Sequence, residues 1–248
     1  MVTLYTNQPA FFADLADELR LFRAMEEIQP AEAETAQVSV VLEEQGGLWV
    51  VCARVRLDGK EAAATYTHPA VTGNALVEKR CRKRAVKIAA FRAMQAATGM
   101  ELPWGSLTGI RPTRLLRELI AQEGEAEAMR MMREAFDVSS EKLALAAEIV
   151  RVQAPILESQ TREDVDIYIG IPYCASRCLY CSFASAVRTK DTDMGAYLAA
   201  LGRDIALGAR IVQETGRKVR SMYIGGGTPT VLTAEELKRL LSDALYAY

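Results

Sequence analysis

The last third of the chain alternates strand, loop and helix twice, and this rhythm restricts it to the parallel α/β class. The run DIYIGI reads as a short apolar strand ending at Ile171, and a helix follows from about Met194 to Thr215. VRSMYI is a second strand, followed by Gly225, Gly226 and Gly227, and another helix opens at Thr233. Thr233 and Glu236 stand at capping-box spacing, which marks that opening. The two loops differ sharply in composition. The first carries Cys174, Cys178 and Cys181, and the second carries the three glycines. Loops at the C-terminal ends of parallel strands are where α/β folds place their chemistry.

The first 100 residues read differently, as a small α+β domain. A helix is expected from about Gln8 to Met25, followed by the acidic stretch QPAEAETA. VSVVLEE and LWVVCARVRL are strand-like runs joined through Gly46 and Gly47, a hairpin signal. A third run near Ala63 to Thr67 completes a small antiparallel sheet. Asn74 is a cap and Gly99 a stop for a long helix between them. Residues 101–162 form a helical connecting region. It opens with the ordered segment LPWGSLTGIRPTRLLREL, in which Pro112 suits the first turn of a helix. Two more helices follow, near Glu125 to Phe136 and Ser140 to Leu157, and Pro155 should kink or end the second. Residues 163–248 are the α/β part.

Bulk properties narrow the function. With 30 basic and 32 acidic residues and a net charge of −2, the chain is not built to coat nucleic acid or an anionic membrane. It has no apolar run near the roughly 20 residues that span a bilayer. The start, MVTLYTNQPAFFADLADELRLF, lacks the pattern of a signal peptide, so a cytoplasmic location is expected. Disulfides are not expected there. The single histidine, His68, is remote in sequence from the cysteines.

Three thiolates on one loop can each ligate one iron of a cubane and leave the fourth iron open. A structural zinc site needs four ligands, usually as two half-sites, and this sequence supplies no second pair. Glycines after the next strand let backbone N–H and C=O groups approach a ligand closely.

The pattern CxxxCxxC, with an aromatic before the last cysteine, resembles the signature of radical S-adenosylmethionine enzymes. The wider strings YIGIPYCASRCLYCSF and YIGGGTPTVL are similar to the oxygen-independent coproporphyrinogen III oxidase group, over roughly Asp166 to Leu232. PWGSLTGIRPTRL resembles the extended branch often called coproporphyrinogen dehydrogenase. The resemblance implies a [4Fe–4S] cluster on Cys174, Cys178 and Cys181, with S-adenosylmethionine on the open iron. It places Tyr168 near the cofactor, Tyr180 against the adenine, and Gly226, Gly227 and Thr228 at the methionine part. It also implies an electron donor such as flavodoxin or ferredoxin.

The implied fold is a partial TIM-type barrel of which only the first two βα units are present. At roughly 30 residues per unit, the chain reads as truncated within the barrel and is not expected to turn over alone. The implied reaction removes a hydrogen from a substrate propionate, which loses CO₂ to become a vinyl group; this converts coproporphyrinogen III to protoporphyrinogen IX. Other activities of the group remain open: a methyltransferase, a haem-trafficking protein or a tRNA-modifying enzyme. The best-known oxidases carry a histidine at the place of Gly170, so their substrate chemistry does not transfer directly. The catalytic residues are not identified.

Outside the motifs, KRCRKRAVK is the strongest charge run. Val77, Cys81, Ala85 and Ile88 fall at helical spacing, which predicts a core-facing Cys81 and a solvated basic face. A phosphate-binding role for that face is the rival reading. Cys52 is expected to be a small buried hydrophobe. Arg177 is expected to be a solvated loop charge and the alternative is a propionate contact; Arg111 could serve substrate or barrel.

Overall fold

The computed structural model describes residues 1–248, which divide into two compact units, Met1–Pro155 and Ile156–Tyr248. Both are mixed α/β, and no helix is long and apolar enough to cross a membrane.

The first unit is organised by a five-stranded sheet. Its strands are β1 (Val2–Thr6), β2 (Ile28–Pro30), β3 (Val38–Gln45), β4 (Leu48–Leu57) and β5 (Lys60–Pro69), in the order β2-β1-β3-β4-β5. The expected meander β3-β4-β5 is antiparallel, and its first turn pairs Gln45 with Leu48 around Gly46 and Gly47. The sheet is nonetheless mixed. β1 runs parallel to both β2 and β3, with Val2 opposite Ile28 and Leu4 opposite Val38. The first helix is shorter than the sequence predicts: a 3₁₀ turn at Pro9–Phe11 leads into α1 (Phe12–Arg20).

Strict alternation makes one sheet face apolar. Trp49, Val51, Ala53, Val55 and Leu57 of β4 are buried, while Cys52, Arg54 and Arg56 face outward. Cys52 is therefore exposed, contrary to expectation, because its neighbours Val51 and Ala53 occupy the core side. The long helix α2 (Ala75–Thr98) lies on the apolar face. Asn74 caps it by accepting from the N–H groups of Leu76 and Val77, and Gly99 ends it in the left-handed conformation. Ala85, Ala89, Ala90, Ala93 and Ala97 let the helix come close to the sheet, and Phe91 and Met94 fill the layer between.

The basic run on α2 is not one solvated face. Arg82 stacks over Trp49 and pairs with Glu78, Lys83 pairs with Asp14, and Lys87 is buried against Glu18 at 3.3 Å. Cys81 is half-buried and packs against the core, as expected. Glu18 is fully buried; Thr108 donates to it, yet one of its oxygens has no partner. Burial outweighs the attraction of Lys87 and raises its pKa from 4.5 to about 7.

A second core joins Ile88 of α2 to α3 (Pro112–Glu123), α4 (Glu125–Glu134) and α5 (Ser140–Glu158). Pro112 does open α3. Pro155 does not end α5, which continues to Glu158. The segment before α3 is pinned at Gly105, where φ is +55° and an added Cβ would lie 2.0 Å from the carbonyl oxygen of Phe136. Only glycine fits so close an approach. Arg92 holds the same turn through a 2.9 Å pair with Asp137.

The second unit contains β6 (Asp164–Ile171), β7 (Tyr173–Cys174), β8 (Ala186–Val187), α6 (Met194–Glu214), β9 (Lys218–Gly226) and α7 (Ala234–Ala247). β6 and β9 are parallel neighbours joined through α6, as the rhythm predicted. Ile169 and Ile171 point into a core with Met194, Ile205, Leu232, Leu240 and Ala244. Both halves of the capping box at Thr233 and Glu236 are formed.

Candidate metal and cofactor site

Pairing of β6 with β9 aligns their outward side chains in rungs. Asp166 faces Ser221, Tyr168 faces Tyr223, and Gly170 faces Gly225. Ser221 donates to Asp166 at 2.6 Å, and the two tyrosine rings stack with centroids 5.7 Å apart. Both rings are exposed, so Tyr168 is not a core aromatic. Beyond them Gly170 and Gly225 leave the backbone bare. A shallow hollow of about 240 Å³ lies there, lined by Tyr168, Gly170, Ile171, Pro172, Phe183, Ala184, Gly226 and Gly227.

The glycine loop is bonded directly to the cysteine loop. The N–H of Gly227 donates to Ile171 O at 2.7 Å, and that of Thr228 donates to Tyr173 O at 2.8 Å. A Cβ at Gly227 would lie 2.5 Å from Tyr173 O and 3.0 Å from Cys174 Sγ. Gly226 has φ +95°, a conformation that favours glycine. The triple glycine is thus a close-approach surface against the first cysteine rather than a slack turn.

The cysteine loop is fastened on its other side too. Ala186 and Arg188 donate their N–H groups to Pro172 O and Cys174 O, both at 2.8 Å, which forms the short parallel pair β7-β8. The Arg188 guanidinium forks onto Glu236, at 3.0 and 3.1 Å from its two oxygens. Tyr197 donates to Gly170 O at 3.0 Å and meets the Tyr173 ring edge-on, at 5.2 Å. Sequence reading missed Arg188 and Tyr197. The Arg188–Glu236 pair spans 48 positions, so no local pattern announces it.

Of the predicted residues, the structure brings Cys174, Gly226, Gly227 and Thr228 together. Cys178 is exposed and Cys181 half-buried; Cys181 N–H donates to Cys178 O at 3.0 Å, closing a turn. The three sulfurs do not converge as a preformed ion site. Tyr180 is exposed beside Cys178, which raises the phenol pKa by offering its sulfur to the hydroxyl. Arg177 is exposed and has no ion pair. The donor set still fits an iron–sulfur cluster with one open iron. It supplies three thiols in eight residues, with a backbone cradle at the first.

Thiols on the loop after one parallel strand and a glycine cradle after the next match the radical S-adenosylmethionine pattern that the sequence resembles. The chain is a member of that superfamily, in its oxygen-independent coproporphyrinogen III oxidase-like group. It is 34% identical over 170 residues to the oxygen-independent coproporphyrinogen-III oxidase-like protein HemZ of Bacillus subtilis, covering 67% of this chain and 34% of that one. It is 39% identical over 80 residues to the oxygen-independent coproporphyrinogen III oxidase of Pseudomonas aeruginosa, covering 32% and 17%. It is 33% identical over 81 residues to the heme chaperone HemW of Haemophilus influenzae, covering 32% and 21%. The chain therefore spans about a third of the first relative's length and less of the others. No family model and no solved structure matches it.

Proposed function

We propose that Cys174, Cys178 and Cys181 hold a [4Fe–4S] cluster and that the glycine loop holds S-adenosylmethionine beside it. The observation that carries this is the close packing of Gly227 on Cys174 and Tyr173, because it fixes the glycine loop directly beside a proposed cluster thiol. The bound pair would supply one-electron cleavage chemistry. The chain's own residues set the geometry. Gly226, Gly227 and Thr228 offer close approach to the methionine part of the cofactor. The stacked tyrosines and the hollow beside Phe183 offer an apolar wall that sheds water, and Tyr180 offers a ring to the adenine. Arg188 and Tyr197 are positioning residues that brace the cysteine strand. β6-α6 and β9-α7 are then the first two units of a barrel, and an electron donor such as flavodoxin or ferredoxin would deliver the electron.

The reaction proposed for the whole protein is oxidative decarboxylation of coproporphyrinogen III to protoporphyrinogen IX. Similarity to proteins named oxidase and oxidase-like supports it. Similarity to a protein named heme chaperone favours haem handling as the second reading. Anaerobic incubation of reconstituted protein, extended through a complete barrel, with coproporphyrinogen III decides between them. Stoichiometric CO₂ and a vinyl product are expected. Stable haem retention without CO₂ would establish the second reading instead.

A further inference from the structure

The first unit contains a cavity of about 500 Å³ between α2, the segment before α3, and the start of α3 itself. That is the size range of small-molecule sites. Its walls carry Arg80, Lys83, Arg84, Lys87, Arg111 and Arg114, set against only Asp14 and Glu118. Ion pairing accounts for half of the cations. Lys83 takes Asp14 at 3.2 Å, Arg114 takes Glu118 at 2.9 Å, and Lys87 takes Glu18. Arg80, Arg84 and Arg111 have no carboxylate partner.

Arg84 is the informative one. It is half-buried and lies over the Phe136 ring, with its guanidinium carbon 5.0 Å from the ring centre. Burial holds its pKa below the usual value, which reports an incompletely compensated charge. The ring contact holds the guanidinium in the cavity wall, and its N–H groups make no hydrogen bond within the chain, so they are free to fork onto an oxyanion. The start of α3 adds donors to the same cavity. No side chain caps this helix and its first turn contains no acidic residue. The N–H groups of Thr113 and Arg114 find no acceptor within the chain. Helix starts of this kind favour negative charge and point N–H groups at it.

We propose that this cavity binds a phosphate group, held by Arg84, Arg111 and Arg80 and by the N–H groups that open α3. Three guanidiniums without an ion-pair partner, two of them sharing the field of Glu118, call for more than one negative charge in a compact space. A phosphate or pyrophosphate meets that demand, and a single carboxylate does not. Leu107, Ile110 and Phe136 give the cavity an apolar side, which suits a phosphorylated organic molecule or a nucleotide of an RNA strand. The assignment concerns the first unit only and is independent of the cluster.

The test is calorimetric titration of the metal-free 248-residue protein with inorganic pyrophosphate, citrate and a twelve-nucleotide single-stranded RNA. Pyrophosphate is expected to bind at least tenfold more tightly than citrate. Arg80→Gln with Arg111→Gln, both on exposed side chains, should weaken it at least tenfold with an unchanged melting temperature. Arg84→Lys should weaken it several-fold, and Lys60→Gln, at the far β4-β5 turn, should change nothing. RNA binding displaced by pyrophosphate would identify the phosphate source as nucleic acid. Pyrophosphate binding without RNA binding would identify a small phosphorylated molecule. Equal binding of citrate, or pyrophosphate binding unaffected by the paired arginine substitutions, would overturn the proposal.

Discussion

The two units use a β-sheet in opposite ways. In the first, a five-stranded sheet turns one apolar face onto α1 and α2, and 24 buried residues close the core. In the second, two strands share a core of seven buried residues, and their other face presents tyrosines and glycines to solvent. Alternation in the first unit serves stability. In the second it divides each strand into a face that packs and a face that is left exposed, where the proposed ligand would lie. An exposed aromatic pair beside two glycines adds little to packing.

Substitutions in the first core and on the open face of the second sheet should therefore differ most. Phe91→Ala, in the middle of the first core, should cost about 3–5 kcal/mol in denaturant unfolding, through lost burial and a cavity. Tyr223→Ala should shift stability by no more than about 0.5 kcal/mol, because its ring is exposed. A comparable loss at Tyr223 would break the contrast.

The next effect belongs to Glu18. Its folded pKa, about 7, lies above the ordinary 4.5, so the folded state keeps a proton that the unfolded state gives up. Stability of the first unit should be greatest below pH 4.5 as far as this group is concerned. It should fall by about 3 kcal/mol as the pH rises to 7, then level off. Glu18→Gln should remove that slope, and an unchanged slope would locate it elsewhere. A smaller loss is expected from Asn74→Ala, which deletes the side-chain cap of α2 and should cost about 1 kcal/mol in thermal unfolding.

Signals written in neighbouring residues were legible. Asn74 and Gly99 bound α2, Gly46 and Gly47 turn the β3-β4 hairpin, and Thr233 with Glu236 opens α7. The cysteine and glycine loops were also readable as loops after β6 and β9, because each is written in one short run of residues. What was not legible depends on partners far along the chain. β1 and β2 are too short to show a period and pair across more than 20 residues. The basic run on α2 suggested one wet face. Its cations instead find Trp49, Asp14, Glu18 and Phe136, and no local pattern names those partners. At the site, the sequence supplied the thiols, and the fold supplied the contact of Gly227 with Cys174 and the Arg188 fork that braces it.

The central claim is an open-iron cluster on the cysteine loop. The direct measurement is anaerobic reconstitution with iron and sulfide, followed by electron paramagnetic resonance of the reduced protein with and without S-adenosylmethionine. The account predicts about four irons per chain, a signal that shifts when the cofactor is added, and loss of both in Cys178→Ala. Four irons with a signal indifferent to the cofactor, or full iron binding by Cys178→Ala, would contradict it.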